Sequence, residues 1–131
     1  DQNDAAYVVS QLRLHLDKKE ESNELWYQDN ANEDDLRGLW YAAPEELALD
    51  VWNLKMIVYA PEYRRQGWGS KGLEEMQILL RQRQARLLIL ETAGSMTSSQ
   101  AFYVKNGLER EACIRHYYGP QEDKVIFRKL L

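Results

Sequence analysis

Cysteine is almost missing from this chain: Cys113 is the only one in 131 residues. A single thiol excludes an internal disulfide and a cysteine metal cluster. It reads as a small buried hydrophobe, not a nucleophile, and the expected compartment is a reducing cytoplasm. Histidine is scarce too. His15 and His116 have no partners at metal-ligand spacing, so no metal is expected. No apolar run approaches the roughly 20 residues that span a bilayer, and no signal peptide is visible. The chain starts at Asp1 and not at Met, which leaves a trimmed or processed start open. Positive charge is in deficit: 17 Lys and Arg against 21 Asp and Glu give a net charge of −4. That balance lacks the basic footprint of a general nucleic-acid binder. It would suit a cationic partner, although solubility alone also explains an acidic surface. There is no Pro-rich linker, repeat or low-complexity segment, and the length points to one domain over residues 1–131.

What is present alternates between strand and helix patterns. Ala5, Val8, Val9, Leu12 and Leu16 recur at helical spacing and predict a helix over residues 4–19, although Val8, Leu12, Leu14 and Leu16 also fit a strand. Residues 24–28 and 36–42 read as a hairpin around the polar turn 29–35. A long strand is expected over 47–59. A helix over 69–85 has Leu73, Met76 and Leu80 on one face and Arg81 and Arg83 near its end. Residues 87–90 form a continuous apolar run, typical of a strand buried on both faces. A short helix over 98–106 stops at Gly107, and 109–117 pairs with 124–130 as a closing hairpin across Gly119-Pro120. The class is mixed α/β. The four tryptophans, Trp26, Trp40, Trp52 and Trp68, read as core or hairpin packing, with Trp40 and Trp52 as candidates to line a pocket.

The densest signal is Val58-Tyr59-Ala60-Pro61-Glu62-Tyr63-Arg64-Arg65-Gln66-Gly67-Trp68-Gly69-Ser70. An apolar strand ends at a proline, an Arg-x-x-Gly-x-Gly loop follows, and a helix begins. The first N–H groups of a helix have no intrahelical acceptor, and the positive end of its dipole lies there, so this junction suits a phosphate or diphosphate. Gly67 and Gly69 let a ligand approach the backbone without a Cβ in the way.

Arg64-x-x-Gly67-x-Gly69 after a strand and a proline resembles the diphosphate loop of the GNAT superfamily of acyl-CoA N-acyltransferases. The later Phe102-Tyr103-Val104-Lys105-Asn106-Gly107-Leu108 is similar to that family's Phe-Tyr-x-x-x-Gly-Phe segment, and the resemblance covers residues 50–131. It implies a central, mostly antiparallel sheet with a splayed parallel pair in the middle, flanked by helices, with a reduced N-terminal part. It also implies acetyl-CoA as co-substrate and transfer of the acetyl group to a primary amine by direct attack in a ternary complex. The acceptor would be a small amine or a protein or peptide amine.

On that resemblance Arg64, Arg65, Gln66, Gly67, Trp68, Gly69 and Ser70 hold the diphosphate, and the backbone of Ile57, Val58 and Tyr59 meets the pantetheine and the thioester carbonyl. Lys105 and Asn106 are placed to touch the adenine end. Tyr103 is the candidate general acid for the leaving thiolate, since a phenol and an alkyl thiol have comparable proton affinity. The position where some members carry a glutamate base is Asn53, which cannot take a proton, and the position of a frequent asparagine is Met96. The base therefore stays open among Asp50, Glu45, Glu46, Glu91, His116, Tyr118 and a water relay. These departures keep a non-catalytic acyl-CoA binder or sensor as the alternative, and an interaction module with a coincidental loop as a third reading. Unpaired strand edges make a homodimer plausible.

Overall fold

The computed structural model describes residues 23–131. The helix expected over residues 4–19 lies outside the described residues, as does most of the N-terminal part expected to be reduced. Six strands form one sheet: β1 (Leu25–Asn32), β2 (Asp35–Pro44), β3 (Val51–Tyr59), β4 (Leu87–Ala93), β5 (Glu109–Gly119) and β6 (Glu122–Leu130). Two α-helices interrupt them, α1 (Trp68–Gln82) between β3 and β4 and α2 (Thr97–Lys105) between β4 and β5. The strand order is β1-β2-β3-β4-β6-β5. Among the described residues only β3 and β4 run parallel, joined by the helical crossover that a parallel pair needs. The fold is thus mixed α/β with one parallel pair in the middle of an antiparallel sheet.

The core lies between the sheet and α1. Leu73, Met76 and Leu80 recur at three- and four-residue spacing on α1 and are fully buried against Trp40, Ala42, Trp52, Leu54, Leu88 and Leu90. Trp40 and Trp52 belong to this core.

Two local features shape the middle of the sheet. Tyr41 pairs with Met56, but Ala42 pairs with Leu54, which leaves Lys55 as an extra residue on β3. Such a bulge shifts the alternation by one. Trp52 and Leu54 enter the core before it, and Ile57 enters after it. The rungs between β3 and β4 run from Val51–Leu87 to Leu54–Leu90 and stop there. Beyond that point β3 keeps its partner β2 and β4 keeps its partner β6. The bulge and the end of the pairing coincide, so the two parallel strands part as a fork.

Several expected boundaries shift. The first hairpin reaches Asn32 and Asp35, leaving only Glu33 and Asp34 between its strands. The strand expected from residue 47 starts at Val51, because Leu47 and Asp50 take left-handed conformations (φ 61° and 55°) in the preceding turn. The strand expected over 87–90 continues to Ala93 along β6. Cys113, expected to be buried, is exposed, because β5 is an edge strand whose residues are exposed almost throughout.

Candidate active site

The predicted loop stands at the open end of the fork. After β3, Pro61–Tyr63 form one 3₁₀ turn and the chain reaches α1 through Arg64-Arg65-Gln66-Gly67. Gly67 is left-handed (φ 85°, ψ 1°), and Trp68 enters the helix. Successive left- and right-handed residues turn neighbouring N–H groups to one side, the arrangement of an anion nest. The first helical hydrogen bond runs from Lys71 N to Gly67 O at 3.1 Å. The N–H groups of Trp68, Gly69 and Ser70 precede it. None of them has an acceptor among the described residues, and no side chain caps the helix.

The side chains of the loop divide between that cradle and the scaffold. Arg64 Nε donates to the carbonyl of Tyr59 at 2.9 Å and ties the loop to the end of β3. Gln66 Nε2 donates to the Glu62 carbonyl at 2.8 Å. Arg65 is exposed with φ 60°, a conformation costly for a non-glycine residue. Trp68 lies beneath the Arg37 guanidinium, 3.7 Å from its ring centroid, and Lys71 Nζ stands 4.8 Å from the same ring. Tyr63 donates its hydroxyl hydrogen bond to Asp35.

Ile57, Val58 and Tyr59 form the β3 arm of the fork and have no strand on their β4 side. The Tyr59 side chain turns to the α1 face, and its hydroxyl donates to Asp29 Oδ2 at 3.1 Å. Burial, reinforced by the Asp29 carboxylate, pushes that phenol well above its ordinary range.

α2 brings Tyr103 to the α1 face of the sheet. Its neighbour Phe102 approaches to 3.3 Å of the point where a Cβ on Gly69 would stand, so α2 abuts the first turn of α1. Tyr103 packs against Phe102 and Phe127, each ring centroid 5.6 Å away. Phe127 is the rung opposite Leu90, the last β4 residue paired with β3. Tyr103 therefore lies on the core face at the base of the fork. Burial raises its phenol above the ordinary value, and its hydroxyl has no hydrogen-bond partner among the described residues. Lys105 is exposed in the last turn of α2, and Asn106 closes that helix through its Phe102 contact. Met96, at the position of the family's frequent asparagine, lies against the Thr92 hydroxyl.

The candidate bases are scattered. Asp50 and Glu46 are exposed in the turn before β3. Asn53 is 2% exposed and donates its amide to Glu45 Oε1 at 2.7 Å. His116 accepts from the Gln121 N–H through Nδ1 at 2.9 Å, a turn contact at the far end of β5. Glu91 is the first β4 residue beyond the last β3 rung, and strand alternation places it on the face opposite Leu90 and Tyr103. Its Oε1 meets Lys124 Nζ at 2.9 Å, and that ammonium stands 4.1 Å from the Tyr117 ring centroid. Burial pulls the Lys124 ammonium down, but its bond to Glu91 outweighs that and leaves it raised. Burial and then Glu91 raise Tyr118. The sequence reading missed the pairing of Lys124 with Glu91 and the contacts of Asp29, because Lys124 and Asp29 each meet a partner about thirty residues away in the chain.

The matching family model is the acetyltransferase (GNAT) family, over residues 3–108. A candidate GNAT acetyltransferase from Desulfovibrio desulfuricans superimposes with a TM-score of 0.78 at 27% identity, covering 82% of this chain and 68% of that one. The ribosomal-protein-S18-alanine N-acetyltransferase of Escherichia coli gives 0.70 at 26% identity, with coverage of 82% and 68%. A GNAT acetyltransferase from Elizabethkingia anophelis with acetyl-CoA bound gives 0.75 at 16% identity, covering 88% of this chain and 81% of that one, a likeness of fold alone. No curated protein matches the chain at a significant level.

Proposed function

The chain belongs to the GNAT family of acetyltransferases, and from that premise we propose that it transfers an acetyl group from acetyl-CoA to a primary amine by direct attack in a ternary complex. One observation carries this reading: an uncapped helix start with three orphan N–H groups opens directly onto a fork between parallel strands. The N–H groups of Trp68, Gly69 and Ser70, with Arg65 beside them, take the diphosphate. The pantetheine arm follows the fork and meets the free edge of Ile57 to Tyr59, as an extended ligand added beside a strand. Its thioester then reaches the base of the fork, where the carbonyl finds β3 N–H donors.

The two faces of the sheet divide the proton work. The amine approaches on the Glu91 face and attacks the thioester carbon. The new C–N bond forms, the C–S bond breaks, and the amine proton passes to Glu91, directly or across one water. The thiolate departs toward the Tyr103 face and takes the phenolic proton. Burial keeps that phenol protonated past its ordinary value near 10.

The test is release of free thiol from acetyl-CoA with a panel of small primary amines and peptides with free amino termini. Tyr103→Phe should lower kcat by about a hundredfold or more while acetyl-CoA binding holds. The parent enzyme should lose no activity through Tyr103 up to pH 10 and decline only above it, since an acid must carry its proton. Stability follows the same sign: the folded pKa exceeds the unfolded one, so the contribution is complete below the unfolded value and lost as pH rises through the folded one. Acetyl-CoA binding without turnover of any amine would instead favour the non-catalytic binder.

A further inference from the structure

We propose that Asp29, on β1, is a positioning residue for the diphosphate cradle, which rests on the reading of that cradle given above. Its carboxylate is 13% exposed and anchors two arms that reach the first turn of α1 from the far edge of the sheet. The first arm is Tyr59, whose hydroxyl donates to Asp29 Oδ2 at 3.1 Å. Its ring fills the space between β2 and α1. A Cβ on Gly38 would stand 2.5 Å from that ring, and one on Gly72 would overlap the hydroxyl. The Tyr59 carbonyl also accepts from Arg64, at the entry to the loop. The second arm is Arg37. Its Nε and Nη2 each reach Asp29 Oδ1 at 3.0 Å, and Nη2 also donates to the Asn30 carbonyl at 3.2 Å. The face of this guanidinium covers the ring of Trp68, the first residue of α1.

A cradle of backbone N–H groups holds an anion only if its donors stay within about 0.5 Å of their working positions. Within α1 no side chain caps the first turn, and only the Lys71 ammonium, 4.8 Å from the Trp68 ring centroid, braces it. The two arms do so from outside, and both end on one carboxylate. Charge-assisted bonds to a mostly buried acceptor are the stronger kind, which suits Asp29 for the task.

Asp29→Asn keeps the shape and removes the charge. Calorimetry with CoA, which requires no turnover, should show affinity about tenfold weaker in a variant that still melts cooperatively. The ratio of kcat/KM for acetyl-CoA to that for S-acetylpantetheine, a donor with no diphosphate, should fall by the same factor. A merely structural role would lower both donors together and leave the ratio alone. If Asp29→Asn does not fold, Tyr59→Phe and Arg37→Gln each remove one arm, and the double variant should show the full loss. A parent that binds CoA with variants of equal affinity overturns the role of Asp29 alone. A well-folded parent that binds no CoA overturns the cradle itself, and this proposal with it.

Discussion

Tyr59 shows how one side chain can dictate two others. Its ring occupies space that a side chain on β2 or α1 would need, so Gly38 and Gly72 are steric requirements and not turn residues. Gly72→Ala should cost about 1–3 kcal/mol of stability from overpacking. In a Tyr59→Phe background the cost should shrink, because the hydroxyl is the atom a Cβ meets first and the next ring carbon lies 3.2 Å away. Urea unfolding of the four proteins closes that cycle. Equal costs in both backgrounds would refute the contact. Reading the sequence found Tyr59 only as backbone along the fork; its hydroxyl partner, Asp29, lies thirty residues earlier on another strand. The ion pair of Glu91 with Lys124 was hidden for the same reason: the pairing of β4 with β6 creates it, and no local pattern announces it. Cys113 misled in the other direction. A thiol within a strand pattern suggests burial, but exposure depends on whether any element covers β5.

The elements themselves were largely legible, because their signals are local. α1 follows from the spacing of Leu73, Met76 and Leu80, and its start from the Gly67 junction. Gly67 sits at φ 85° with nothing within 4 Å of a Cβ position, so its requirement is conformational alone. Gly67→Ala should therefore destabilise by about 1–2 kcal/mol, the cost of a left-handed residue with a Cβ. Chemical denaturation should show that loss with an unchanged slope; a neutral result would mean that the junction tolerates another conformation. The bulge at Lys55 was not legible. Residues 47–59 read as one unbroken strand, and only pairing with β2 shows that one residue is extra. The left-handed residues Leu47 and Asp50 carry no glycine signal, which is why the strand was expected to begin four residues early.

At the scale of the whole sheet, the decisive property is that its central parallel pair parts beyond the Leu54–Leu90 rung. Among the described residues every other neighbouring pair is antiparallel, and it is the parallel pair whose strands separate toward a helix start. The bulge turns β3 away, α1 supplies uncapped N–H donors at the mouth, and α2 sets Tyr103 at the base. We propose that this opening holds acetyl-CoA. The most direct test is calorimetric titration of acetyl-CoA into the protein, with a thermal melt on the same samples. The expected result is one saturable site with a dissociation constant on the order of micromolar. Ligand at a hundred times that constant should add about 2.7 kcal/mol of stability. No heat and no shift of the melt, from a protein that unfolds cooperatively, would contradict it.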